Sequence, residues 1–145
     1  MSEQRERPLD GIRVLEMGQL MAGPFAGTLL AYYGAEVIKI EPPGLGDPVR
    51  KWRVLDQGTS LWWRSLGRNK RCVTLDLRRE RGREIARRLA RISDVLIENF
   101  RPGTLERWGL APDDIQPDNP GLIYARVSGY GQNGPYSSRP GYASV

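Results

Sequence analysis

Arg13-Val14-Leu15-Glu16-Met17, Gly23-Pro24-Phe25-Ala26-Gly27-Thr28-Leu29-Leu30-Ala31-Tyr32-Tyr33-Gly34 and Glu36-Val37-Ile38-Lys39-Ile40 are the three consecutive stretches that decide the fold. The first is a short apolar run with a turn residue, Gly11, just before it, and it predicts a strand. The second has Pro in its opening turn, an Ala- and Leu-rich body and Gly34 at its end, which predicts a helix. The third is rich in β-branched residues and is stopped by Pro42-Pro43, as a strand would be. Strand, helix and strand in so short a span form a βαβ unit. Such units are almost always right-handed, with parallel strands.

The same rhythm continues outward from this unit. Cys72-Val73-Thr74-Leu75 is a candidate strand. Arg79 to Ser93 places Ile85, Leu89 and Ile92 on one face and arginines on the other, an amphipathic helix. Asp94-Val95-Leu96-Ile97-Glu98 reads as a strand, Thr104 as the cap of a short helix ending at Gly109, and residues 122–127 as a last strand. The alternation predicts an α/β fold: a Rossmann-like open, mostly parallel sheet flanked by helices. Two segments break the pattern. Residues 44–67 form a long Gly-, Pro- and Trp-containing connection, and long connections are often functional. Residues 128–145 are loaded with Gly and Pro and end with no capped helix or polar tail, so the C-terminus is expected to be a cut.

The chain has 145 residues and a formal net charge of +5. That length suits one domain. There is no histidine, which excludes an imidazole base, a Ser-His or Cys-His pair and any His-containing zinc site. The lone Cys72 excludes an internal disulfide and a thiolate metal cluster, so no metal is expected, and it fits a reducing cytoplasm. No apolar run approaches the roughly 18–20 residues that cross a bilayer. The polar start, Met1 to Arg7, is unlike a signal or transit peptide. A cytoplasmic protein without membrane association is expected, and the positive charge favours anionic partners.

Ligands of open α/β sheets bind beyond the carboxyl ends of the strands, so the segments there carry the chemistry. Residues 18–23 sit where a phosphate loop would, yet lack the G-x-G-x-x-G spacing; a tight turn into a helix fits them as well as ligand contact. Asn69-Lys70-Arg71 and Arg78-Arg79 surround one strand with cations, which fit either phosphate clamping or solvated surface charge. Arg81, Arg83, Arg87, Arg88 and Arg91 read as a solvated helix face. The tryptophans Trp52, Trp62, Trp63 and Trp108 have apolar neighbours and read as packing residues, not as the exposed stacking platform of a nucleic-acid binder. Asn99-Phe100-Arg101-Pro102-Gly103-Thr104-Leu105-Glu106-Arg107-Trp108-Gly109 is more informative. It brings an aromatic face and a guanidinium to one strand end, which suits an adenine ring and phosphates. A buried turn in which Arg107 pairs with Glu106 or Asp113 fits the same residues.

Pro8-Leu9-Asp10-Gly11-Ile12-Arg13-Val14-Leu15-Glu16, Ala22-Gly23-Pro24, residues 34–41, Asn69-Lys70-Arg71, Leu75-Asp76-Leu77, residues 94–103 and Ser128-Gly129-Tyr130-Gly131 together, in this order and spacing, resemble the start of the family III CoA-transferases. That group contains formyl-CoA transferase, carnitine CoA-transferase and 2-methylacyl-CoA racemase. The resemblance runs from about Pro8 to the last residue and makes residues 1–145 the N-terminal part of the family's large domain, with the second domain absent from this chain.

The family implies transfer of coenzyme A between acyl-CoA thioesters and carboxylic acids. The chemistry runs through an aspartate nucleophile that forms a mixed anhydride and then an aspartyl-CoA thioester. It also implies an interlocked homodimer, no nucleic-acid partner, and no cofactor beyond the CoA thioester substrate. Carried over position by position, Leu75 and Arg78 fall at the pantetheine and phosphate region, and Asn99, Phe100, Arg107 and Trp108 around the nucleotide. Met21 and Tyr142 fall in the substrate pocket. The racemase branch has His and Asp where this chain has Tyr142 and Ala143; lacking that acid-base partner, the chain is expected to be a transferase. Residues 139–145 look like those of transferases acting on small dicarboxylates. The nucleophilic aspartate is expected beyond Val145, so residues 1–145 alone are expected to be inactive. A non-catalytic CoA-binding module or degenerate remnant is the alternative.

Overall fold

In the computed structural model, which describes residues 7–141, the chain begins with β1 (Arg13–Glu16), α1 (Ala22–Tyr32) and β2 (Glu36–Glu41). A 3-10 turn (Pro48–Lys51), β3 (Leu55–Asp56), β4 (Thr59–Ser60) and α2 (Leu61–Leu66) occupy the long connection. Then come β5 (Lys70–Thr74), α3 (Glu80–Arg91), β6 (Val95–Glu98), α4 (Thr104–Arg107), α5 (Pro112–Ile115) and β7 (Ile123–Arg126). The main sheet has five strands in the order β5-β2-β1-β6-β7, every pairing parallel. The fold is α/β and Rossmann-like, as the alternation predicts. No helix among the described residues is long and apolar enough to cross a membrane.

Successive side chains of a strand point to opposite faces, and the two faces here are separately covered. Leu15, Ile40 and Leu96 join Ala86 and Ala90 of α3 and Leu105, Leu110 and Ile115 in one cluster. Val14, Val37 and Ile97 join Ala31 and Ala35 in the other. The sheet is therefore buried on both sides, the normal condition of a parallel sheet. The residues at 44–67 escape the periodic reading because they are held by local devices. Asp47 and Ser60 cap the 3-10 turn and α2, accepting from the Val49 and Trp62 amides. Gln57 and Gly58, both at positive φ, form the two-residue loop of the β3–β4 hairpin. The Arg50 guanidinium lies 3.6 Å from the Trp63 ring centroid, and Arg53 lies 4.9 Å from that of Trp52. Thr104 does not cap α4; Gly103, at φ 81, holds that position.

Between the sheet and α1 lies a buried network of charge. Lys39, in the middle of β2, is wholly buried, and its Nζ contacts Glu16 Oε1 at 2.8 Å and Asp47 Oδ2 at 2.8 Å. Lys70 Nζ contacts the other Glu16 oxygen at 2.7 Å. Glu41, at the end of β2, binds Arg50 through both carboxylate oxygens at 2.6 and 2.7 Å and accepts the Asp47 amide at 2.7 Å. Gly27 of α1 is the residue that lets the helix settle on this network, since a Cβ there would stand 2.1 Å from Glu16 Oε2.

Burial would push the Lys39 ammonium down, but attraction by Glu16 and Asp47 outweighs it and the net direction is up. Burial dominates at Lys70 and lowers it. Burial would likewise raise Glu41, yet the bonds from Arg50 and the Asp47 amide hold its carboxyl down to about 2.

Removing one member of a buried ion set leaves its partners charged and dry, at a cost of about 3–5 kcal/mol. Lys39→Met is therefore expected to lower unfolding free energy by that amount, read by denaturant titration. Glu41 is depressed from 4.5 to about 2, so the stability from its ionised form is full above the upper value and drains as pH falls toward the lower. Glu41→Gln is expected to be less stable at neutral pH and to show a flatter stability profile across that acid window, measured by thermal melts.

Candidate functional site at the carboxyl ends of the strands

The winding of the chain reverses at β1: the next strand, β2, lies on one side of it and β6 on the other. Two loops leaving neighbouring strands there splay apart toward opposite faces, and the crevice between them is where open α/β sheets bind ligands. Here the loops are residues 17–21 after β1 and 99–103 after β6.

Asn99 clasps them together. Its Oδ1 accepts the Gln19 N–H at 2.8 Å, and its Nδ2 donates to the Gln19 carbonyl at 2.9 Å. This contact accounts for the two glycines of the first loop. A Cβ on Gly18 would lie 2.5 Å from Asn99 Oδ1, and one on Gly23 would lie 3.0 Å from it. The second loop is oriented by Glu98, a fully buried carboxylate whose Oε2 accepts the Phe100 N–H at 2.7 Å. Arg126 holds the other Glu98 oxygen at 2.8 Å. Burial raises the Glu98 carboxyl, only partly offset by Arg126 and the Phe100 amide.

Phe100 and Trp108 pack edge to face with centroids 5.3 Å apart. Both are half-buried, and with Leu75 they rest on the same apolar cluster, around Leu15, Met17 and Ile40. The structure thus brings Leu75, Phe100 and Trp108 onto one layer. Arg107 is exposed, and its Nη2 donates only to the Thr104 hydroxyl, at 3.1 Å. Neither sequence-level partner takes it: the Glu106 carboxylate is bound by Arg126 at 2.7 Å. Among the described residues no acid pairs with Arg107 or with the exposed Arg101, which leaves two guanidiniums of this loop region open to an anion.

Arg78 lies apart from this cluster. It follows β5, three strand spacings from β6, or roughly 14 Å across the sheet. Its side chain is exposed and folded back on Asp76, Nε to Oδ1 at 2.9 Å. Met21, half-buried, sits where the first loop enters α1, its carbonyl accepting the Phe25 N–H at 2.7 Å. Tyr142 lies outside the described residues.

Lys70 answers to neither use weighed for the cations around β5: it is buried and paired with Glu16, while Arg71 is exposed and bound to Glu36. Four of the five helix-face arginines are paired with acids, Arg81 with Glu84, Arg83 and Arg87 with Glu80, and Arg91 with Asp118. Cys72 is exposed by area, but desolvation of its thiol and the nearby Glu41 carboxylate push it up to about 11, so it stays protonated at neutral pH. Sequence reasoning passed over Glu16, Lys39, Asp47 and Glu98. For Glu16, Lys39 and Glu98 the available signal was a charge at a mid-strand or strand-end position of a sheet buried on both faces, where it must find a partner; Asp47, in the loop after β2, carries no such signal.

Comparison with known proteins agrees with this architecture. Residues 9–145 match the sequence profile of CoA-transferase family III. The chain is 55% identical to succinyl-CoA--D-citramalate CoA-transferase of Chloroflexus aurantiacus over 100% of its own length and 37% of that protein. It is 42% identical to succinyl-CoA:glutarate CoA-transferase of Homo sapiens, covering 96% of this chain and 32% of the relative. A CAIB/BAIF family protein from Brucella suis superposes with a TM-score of 0.90 at 41% identity, over 97% of this chain and 38% of that one. The chain thus spans between 32% and 38% of the length of these relatives. Matched by the family's profile from residue 9 to residue 145, the chain belongs to CoA-transferase family III.

Proposed function

We propose that this chain forms the CoA-binding part of an enzyme that moves coenzyme A from an acyl-CoA thioester to a carboxylic acid. The observation that carries the reading is the switch point between β1 and β6, where Phe100 packs on Trp108 just beyond β6 and neither Arg101 nor Arg107 meets an acid among the described residues, in a chain of this family. The nucleotide end of CoA carries phosphates and an adenine, which need guanidiniums and an aromatic edge together. Leu75, on the same apolar layer, and Arg78, once it exchanges Asp76 for a phosphate, suit the pantetheine and phosphate region of the ligand. In this reading Asn99 positions the crevice, its amide being engaged by Gln19, and Met21 faces the acyl side.

Covalent chemistry in this proposal belongs to an aspartate outside residues 1–145. That carboxylate attacks the thioester carbonyl and expels CoA thiolate, and the thiolate then attacks the mixed anhydride to leave the carboxylate product and an aspartyl-CoA thioester. The acceptors we favour are small dicarboxylates, because two of the relatives are named for citramalate and glutarate transfer. The full protein is a homodimer in this reading. Phe25, Leu29, Tyr32 and Tyr33 form a stripe on α1 between 41% and 57% exposed, a surface suited to a subunit contact.

Calorimetric titration with coenzyme A is expected to show binding that Arg107→Ala weakens by about tenfold and Arg78→Ala by about threefold, as expected for lost charge-assisted hydrogen bonds at exposed sites. Unchanged affinity in both variants, or preference for a short DNA duplex over CoA, would overturn the reading. Residues 1–145 assayed alone for acyl-CoA exchange are expected to be inactive and to self-associate in light-scattering measurements; turnover by this chain would disprove the placement of the nucleophile.

A further inference from the structure

Residues 18–24 turn from the end of β1 into α1, and their backbone is gripped by buried charges. Lys39 Nζ donates to the Gly18 carbonyl at 2.8 Å, and Lys70 Nζ donates to the Pro24 carbonyl at 2.6 Å. Between them, the Leu20 N–H donates to Asp47 Oδ1 at 3.0 Å. Leu20 has φ 62, a left-handed conformation that a branched apolar residue rarely adopts unless its surroundings impose it. Asp47 comes from another loop, beyond β2, and is wholly buried. Its Oδ1 also accepts the Val49 N–H at 2.9 Å, while Oδ2 contacts Lys39 at 2.8 Å. One carboxylate therefore joins the crevice loop, the 3-10 turn and the ammonium at the centre of the network. The remaining charged groups facing this cluster are Glu16, Lys70, Glu41 and Arg50.

We infer that Asp47 is a positioning residue of the site: by accepting the Leu20 amide it holds residues 18–21 in the left-handed turn that shapes one wall of the crevice, without itself touching ligand. The inference rests on the CoA-binding reading above. Its physical content is preorganisation. A loop already held in its bound shape loses less freedom when ligand arrives, and so binds more tightly. Substituting Asp47 then weakens binding through the loop, and it does so in proportion to how well the new side chain still accepts the Leu20 N–H.

Amide-resolved hydrogen exchange and calorimetric titration with coenzyme A on the same samples test this. In the wild-type protein the Leu20 amide is expected to exchange at least about tenfold more slowly than that of Ala22, which stands in the first turn of α1 where amides lack intrahelical partners. Equal rates would overturn the inference before any variant is made. Asp47→Ala is expected to speed Leu20 exchange and to weaken CoA binding, each by about tenfold. Asp47→Asn, which keeps an acceptor oxygen, is expected to change both by about threefold. Val37→Ala, which destabilises through the core near the amino end of β2, away from the strand-end loops, is expected to leave the affinity of folded molecules unchanged. Equal losses in Val37→Ala and Asp47→Ala would make the effect one of general stability and sink the proposal. Should Asp47→Ala not fold, Asp47→Asn decides, and wild-type behaviour there is the overturning result. Failure of the wild-type protein to bind CoA overturns the function proposed above together with this role. Binding that Asp47→Ala leaves untouched overturns the inference alone.

Discussion

Lys39 stands in the middle of a strand buried on both sides, and the structure is arranged around making that ammonium tolerable. An ion taken out of water costs several kcal/mol even after relaxation, and an unpaired one is not sustained in a core. The chain answers with three acids and three bases, Glu16, Glu41 and Asp47 against Lys39, Lys70 and Arg50, drawn from β1, β2, β5 and the loop after β2. Apolar residues of the same volume would pack such a site as well or better, so the network is poorly explained as a source of stability. What it does, and apolar side chains do not, is bond backbone atoms of residues 18–24 at defined points.

The two walls of the crevice are held by different means. The first loop is gripped from below by buried charge and from the side by the Asn99 carboxamide, which meets both polar atoms of the Gln19 backbone. The second is held by Glu98, whose carboxylate is shared between the Phe100 amide and Arg126. The acids that end β1 and β6, Glu16 and Glu98, are spent on architecture. The groups left free at the rim are guanidiniums. This division suits an anionic ligand: the carboxylates that would repel it are already neutralised beneath the surface, and the cations stand above.

Much of the fold is legible in the amino-acid sequence, because hydrophobic periodicity reports which face of an element is buried, and it does so locally. The strands at β1, β2, β6 and β7 and the helices α1 and α3 appear within a few residues of where the pattern puts them. The grouping of Asn99, Phe100, Arg107 and Trp108 at one strand end was equally readable, since they lie within ten positions of one another. The short elements at 44–67 were not, because Asp47, Ser60 and the arginine–tryptophan contacts that hold them leave no periodic trace. The cap of α4 was misplaced for a related reason: Thr104 is a good capping residue by type, but the left-handed turn just before the helix falls to Gly103.

The sequence by itself determined the alternation of strands and helices, the strand-end loops, the absence of imidazole chemistry and the positive charge. These are properties of composition and near neighbours. Only the tertiary structure decided that Lys70 is a buried partner of Glu16 while Arg71 beside it is exposed, that Asn99 meets Gln19, and that Asp47 reaches back to Leu20. The reason is physical. A charged side chain looks the same in sequence whether it will be solvated or desolvated, and its fate is set by which distant strand the sheet order places against it.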